Sequence, residues 1–228
     1  MVGCEDRGMG MEKRYWYAEG LDPEELAFQR RYGPVEPATL DEAKEFFGGL
    51  GLPWWVAGGW SIEAFTGVPR PHDDLDVSFW RRQVPELIRY AEGRYHVWSA
   101  GSGSLSPLSV DKPEVPDTAD QVWLREHALA PWKYDVVLNP DRDGRWVFRR
   151  DPTLDYDLDE ITWTGDDGIR YLNPEMALAY KARLNRPKDR RDLEVTLPLL
   201  SPAKRTWLAD MIHHLHPDHA WLDQIRTT

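Results

Sequence analysis

The chain has 228 residues, enough for one large domain or two small ones with a sizeable buried core. Hydrophobic residues make up 41% and charged residues 29%, a globular balance, and no apolar run approaches the ~20 residues that span a bilayer. Twenty-eight lysines and arginines against 39 aspartates and glutamates leave a net charge of −11. That balance argues against a nucleic-acid backbone as partner and favours a small neutral or cationic molecule.

The first residues lack the apolar core of a secretory signal, so a cytoplasmic location is expected, with no membrane partner. A single cysteine, Cys4, excludes an internal disulfide and any cysteine-based zinc site. Twelve tryptophans are many for this length; some fill the core, and others are candidates to wall a small-molecule pocket. Residues 1–37 read as a partly flexible extension, with a short helix opening at Pro23 behind an Asp22 cap. Thr39 and Glu42 form a capping-box pattern, followed by Leu40, Ala43, Phe46 and Phe47 on one helical face and a Gly48-Gly49 stop. A short strand at 54–57, a helix at 61–66, a strand at 73–79, a helix at 85–92 and a strand at 95–98 follow. Residues 100–118, rich in Gly, Ser and Pro, read as a long loop. Strands are expected at 121–125, 132–138, 146–149, 161–163 and 169–172, with a turn at 139–144. From Asn173, as cap, and Pro174 the pattern turns helical: 175–184, 189–199, 203–215 and 219–226. The expectation is an α+β fold: a mixed twisted sheet with flanking helices at 38–173, followed by a C-terminal helical region at 174–228.

Residues 54–79, WWVAGGWSIEAFTGVPRPHDDLDVSF, carry the chemistry. A Gly58-Gly59 turn can bring backbone N–H groups to a phosphate, with Ser61 beside it. Asp74 and Asp76 share one face of a strand, roughly 7 Å apart. In KYDVVLNP, Asp135 alternates with the apolar Tyr134 and Val136, so neighbouring strands would bring all three aspartates together. Clustered carboxylates repel one another unless a hard cation is present, which points to Mg²⁺ or Mn²⁺ with a nucleoside triphosphate. The implied chemistry is transfer of a nucleotidyl group to a hydroxyl, with Asp74, Asp76 and Asp135 on metal; the resemblance described below further implies Asp135 as a candidate base. Each residue has a plainer reading: a tight turn for the glycines, a solvated strand face for the aspartates, a structural hydrogen bond for His72. Glu126, ending the strand at 121–125, is a candidate to face the cleft with His72. The C-terminal His213, His214, His216 and His219 read as a polar helix end.

Two motifs, Val56-Ala57-Gly58-Gly59-Trp60 and His72-Asp73-Asp74-Leu75-Asp76-Val77, resemble the nucleotidyltransferase superfamily typified by DNA polymerase beta. They look most like aminoglycoside 2''-adenylyltransferases and lincosamide nucleotidyltransferases. The likeness runs on through Tyr171-Leu172-Asn173-Pro174-Glu175, Lys181 and Arg186-Pro187-Lys188-Asp189, covering roughly residues 39–221. It implies phosphate contacts from Gly58 and Gly59, metal at Asp74 and Asp76, a third acid at Asp135, and phosphate contacts from Lys181 and Lys188. It also implies AMP transfer from ATP to a hydroxyl of a small antibiotic by a monomer or homodimer. The alternatives are a non-catalytic nucleotide-binding or antitoxin-type module, and a nucleotidyltransferase that modifies proteins.

Overall fold

The computed structural model describes residues 23–227, with side chains from Leu26 on. Cys4 and the expected cap Asp22 lie outside the described residues. Among those residues, no helix is long and apolar enough to cross a membrane.

The chain opens with helix α1 (Pro23–Tyr32) and α2 (Leu40–Gly48). The capping box holds α2: Glu42 N–H donates to Thr39 Oγ1 (3.2 Å) and Thr39 N–H donates to Glu42 Oε2 (2.8 Å). Thr39→Ala is therefore expected to cost about 1 kcal/mol. Urea unfolding should show a lower midpoint at an unchanged slope, and a shift of only a few tenths would mean that water replaces the cap.

After α2 come β1 (Trp54–Val56), α3 (Gly58–Thr66), β2 (Asp76–Trp80), α4 (Val84–Ala91), β3 (His96–Gly101), β4 (Ser104–Leu108), β5 (Gln121–Arg125) and β6 (Tyr134–Asn139). The strands β7 (Asp141–Arg142), β8 (Arg145–Val147) and β9 (Asp155–Tyr156) form a small separate antiparallel sheet. Then follow α5 (Leu158–Ile161), β10 (Thr162–Thr164), β11 (Arg170–Leu172), α6 (Pro174–Ala182), α7 (Pro187–Thr196), α8 (Pro202–Leu215) and α9 (Trp221–Thr227). The main sheet is mixed and eight-stranded, in the order β10-β11-β1-β2-β6-β5-β3-β4. The α+β class and the helical C-terminal region match the expectation.

Strand alternation divides the interior in two. Val56, Val77, Phe79, Val122, Leu124, Val136 and Leu138 pack on one face against α2 and α4. Trp55 and Trp80, one residue out of phase, point to the other face and meet Ile62 of α3 and the apolar stripes of α6 to α9. Side chains alternate at period two, so Asp76 and Asp135 belong to this second face.

Several expectations are corrected. Residues 100–118 are not one loop: β3 runs to Gly101, turns through Ser102 (φ 49°) and Gly103 (φ 74°), and returns as β4. Two successive left-handed residues are the type I′ geometry that joins tight hairpins. The polar sequence hid the strand because β4 ends the sheet, where Pro107 is tolerated. The strand expected at 73–79 starts at Asp76, and the helix expected at 61–66 starts at Gly58. Asn173 does not cap α6 with its side chain; its amide donates to the Glu160 carbonyl (2.8 Å).

Candidate active site at the carboxylate end of the sheet

β2 and β6 are parallel neighbours, and Asp76 pairs in register with Asp135. Neighbouring strands lie ~4.8 Å apart, so the two carboxylates start side by side on the face toward the helical region. Asp74 sits two residues before β2, exposed and outside the strand, so alternation does not place it. Its backbone is fixed instead by Trp60, whose indole N–H donates to the Asp74 carbonyl (3.1 Å). Burial, and then the Asp74 charge, push the Asp76 carboxyl up to about 6, against the pull of Lys181, Lys188 and Arg186. Asp135 is also raised well above the ordinary aspartate range, by burial first and then by Asp76, Asp74 and Asp120. Its Oδ2 accepts from Gln121 Nε2 (2.9 Å), while its Oδ1 is buried without a hydrogen-bond partner.

The Gly-Gly pair is the first turn of α3 rather than a free turn. Gly58 takes the left-handed conformation (φ +65°), and a Cβ added there would overlap Asp76 Oδ2. Backbone and carboxylate thus meet where a side chain has no room. Gly59 is small for another reason: a Cβ would overlap Arg70 Nη2 and come within 2.9 Å of His72 Nδ1. Ser61, expected near phosphate, is fully buried, and its hydroxyl donates to the Gly58 carbonyl (3.0 Å). It ties the turn together and does not face the cleft.

The segment between α3 and β2 is clamped to the helical region. Arg70 makes a bidentate pair with Asp192 of α7 (2.9 and 3.2 Å), and Lys181 of α6 reaches the same carboxylate (2.9 Å). Arg186 grips the fully buried Asp189 (2.9 and 3.1 Å), and Lys188 pairs with Asp73 (3.0 Å). Lys181, buried and committed to Asp192, acts on the acids through its charge; Lys188 is the more accessible cation. His72 stacks on Trp60 (centroids 4.1 Å apart) and bonds Glu63 (2.7 Å), so its expected substrate contact gives way to a structural one. Burial lowers its pKa, partly offset by the Glu63 hydrogen bond. Glu126 is exposed just past β5, on the rim where β6 begins. The C-terminal histidines are tied elsewhere: His214 to Asp151 (2.7 Å) and His219 to the Ala182 carbonyl (2.8 Å).

Sequence reasoning missed Arg70 and Asp192, and quoted Arg186 within a motif without a role of its own. A signal was present for Asp192: Asp189 and Asp192 stand three apart, the spacing of one helical face, beside a run of cations.

A divalent cation carrying a triphosphate suits this donor set. The site offers hard carboxylate oxygens, one of them buried and unpartnered, beside a backbone with no side chain and three nearby cations. Among the described residues no three of His, Cys, Asp and Glu already stand in metal-holding geometry.

Residues 39–97, which contain α2 through β2 and the start of β3, match the family model described as aminoglycoside-2''-adenylyltransferase. The match falls on the glycines and first aspartates that carried the resemblance; it leaves out Asp135 and the helical region. No curated protein sequence matches the chain. Among solved structures, the chain is similar to the lincosamide antibiotic adenylyltransferase LnuA in its lincomycin-bound crystal form, at 19% identity and TM-score 0.47. That alignment covers 70% of this chain and 97% of the other. It is also similar to ANT(2'')-Ia in complex with adenylyl-2''-tobramycin, at 17% identity and TM-score 0.48, covering 75% and 92%. The solution structure of the antibiotic-resistance factor ANT(2'')-Ia aligns at 18% identity and TM-score 0.47, covering 78% and 95%.

Proposed function

We propose that the protein is a divalent-metal-dependent nucleotidyltransferase that moves a nucleoside monophosphate, AMP from ATP, to a hydroxyl of a small molecule of the aminoglycoside or lincosamide kind. The observation that carries this is the in-register pair Asp76–Asp135 closed at one side by the side-chain-free Gly58. Asp74 and Asp76 would hold the metal, Mg²⁺ or Mn²⁺, and Asp135 would complete the set. The ion, when bound, offsets triphosphate charge and makes the acceptor hydroxyl more acidic. Gly58 gives the phosphates a close backbone approach, while Lys188, with Lys181 and Arg186 behind it, offsets their charge. The acceptor oxygen attacks the α-phosphorus, the bond to pyrophosphate breaks, and the hydroxyl proton passes to Asp135. Asp135, in register with Asp76 on the neighbouring strand, is the carboxylate assigned that role.

The test is pyrophosphate release from each labelled triphosphate with Mg²⁺ or Mn²⁺ and a panel of aminoglycosides and lincosamides. Release that needs both metal and acceptor, with ATP preferred, is the expected result. No release with any acceptor, together with no triphosphate binding, would overturn the reading.

A further inference from the structure

One surface contact joins the sheet to the helical region beside the acid cluster. Lys188 Nζ lies 3.0 Å from Asp73 Oδ2, across 115 residues of sequence. Asp73 stands next to Asp74 in the segment before β2, its side chain 80% exposed; Lys188 is the second residue of α7, its side chain 35% exposed. Packing does not explain a lysine at this position. A cation in the first turn of a helix opposes the dipole, so α7 is not stabilised by it.

Nor do the nearer acids need it. Asp189, the next residue, is fully buried and held by Arg186 (2.9 Å) and Lys181 (3.6 Å). Asp192 is held by Arg70 and Lys181 (2.9 Å each). Among the described residues, Asp73 is the one ion-pair partner of Lys188, and an exposed pair of this kind is weak. The contact uses one of three ammonium N–H groups, which leaves two. Lys188 is therefore kept beside the cluster, where its charge already acts on Asp76, by a partner that a more highly charged anion displaces.

We propose that Asp73 competes with the nucleotide for Lys188: it holds the ammonium at the exposed edge of the acid cluster, yields it to the terminal phosphates of the triphosphate, and takes it back as pyrophosphate leaves. This rests on the transfer reading above and adds a residue outside the metal set that tunes affinity for substrate and product. The terminal phosphates are the ones concerned because the cation behind, Lys181, is buried on Asp192, whereas Lys188 faces solvent. Ammonium–phosphate contacts are charge-assisted, and two adjoining phosphates present more negative charge than one carboxylate. The Asp73 contact must break before they form, so it weakens binding of every ligand that reaches Lys188. Its use is at the end of turnover: cations that grip a triphosphate also retain pyrophosphate, and release of product limits many enzymes.

The test is calorimetric titration of the full-length protein with ATP and with inorganic pyrophosphate, in Mg²⁺ and without acceptor. Asp73→Asn should bind both about twofold to fivefold more tightly than wild type at low salt, and the gain should fade at ~1 M salt. Lys188→Ala should weaken both, and in that background Asp73→Asn should give no comparable gain, because no ammonium is left to release. Unchanged or weaker binding in Asp73→Asn would overturn the proposal, and so would an equal gain with and without Lys188, which is through-space repulsion alone. A wild type that binds and transfers, while Asp73→Asn leaves both affinities unmoved, removes the competition and keeps the reaction. Tighter binding in Asp73→Asn that depends on Lys188, with no transfer to any acceptor, keeps the competition and removes the reaction. A wild type that binds neither ligand removes both.

Discussion

Asp76→Asn should abolish transfer and, in the metal-stripped protein at alkaline pH, make the fold more stable. The loss of activity is expected to be on the order of 10²–10³-fold or more, because the amide neither balances a cation nor joins Asp135 as an anionic pair. The gain in stability follows from the same burial. The folded Asp76 carboxyl titrates at about 6, above its ordinary 3.8. A group whose pKa is raised on folding contributes stability below its unfolded pKa and loses it as pH climbs through the folded one. In EDTA the wild type should therefore weaken between about pH 4 and pH 6. The loss attributable to Asp76 is at most roughly 3 kcal/mol, from about two pKa units at 1.36 kcal/mol each. Asp135, raised by the same burial and by Asp76, steepens the slope in the same direction. The asparagine carries no charge at any pH and escapes its share. Urea unfolding in EDTA at pH 4 and pH 8 should show the variant close to wild type at the lower pH and more stable at the higher. Adding Mg²⁺ at pH 8 should reverse the order by stabilising wild type alone. A fully active variant would end the metal assignment, and one less stable than wild type at pH 8 would end the charge argument.

The juxtaposition of Gly58, Asp76 and Asp135 was legible because it is local and periodic. Glycines beside a short apolar strand, aspartates at alternate positions and a second strand of the same pattern can be read without a fold, and the parallel register Asp76–Asp135 is what that pattern required. The parts that were not legible depend on long-range contacts. Ser61 and His72 have the side chains of ligands, but tertiary packing occupies them, one with the Gly58 carbonyl and the other with Trp60 and Glu63. Arg70 and Asp192 are 122 residues apart, and neither is distinctive alone; their bidentate pair exists because α7 crosses the segment before β2. Edge strand β4 was hidden by proline and serine, which an interior strand would exclude but an edge allows. Pairing of β5 with both β3 and β6 turns scattered tryptophans into a wall, which no local pattern announces.

Gly58→Ala should damage the site more than any other single-methyl change. Two costs add at this position. The left-handed φ of +65° is unfavourable for alanine by roughly 1 kcal/mol, and the new methyl occupies space held by Asp76 Oδ2. The carboxylate cannot yield freely, because the Asp76 backbone is locked by Asp135 on one side and by the Ala57 N–H (2.9 Å) on the other. The side chain must rotate away, or the first turn of α3 must lift off the sheet. Either movement separates the proposed phosphate approach from the proposed metal-holding oxygen, so triphosphate binding should weaken by at least tenfold. Denaturation should show a loss of about 1–3 kcal/mol. Gly59→Ala meets different neighbours, a guanidinium and an imidazole, and should disturb the Arg70–Asp192 clamp before it disturbs phosphate. Comparing the two variants by triphosphate titration and by urea unfolding therefore separates a glycine needed for ligand approach from one needed for packing. Equal loss of triphosphate affinity in both would assign the whole Gly-Gly pair to the architecture of α3 and leave the phosphates to the cations of α6 and α7.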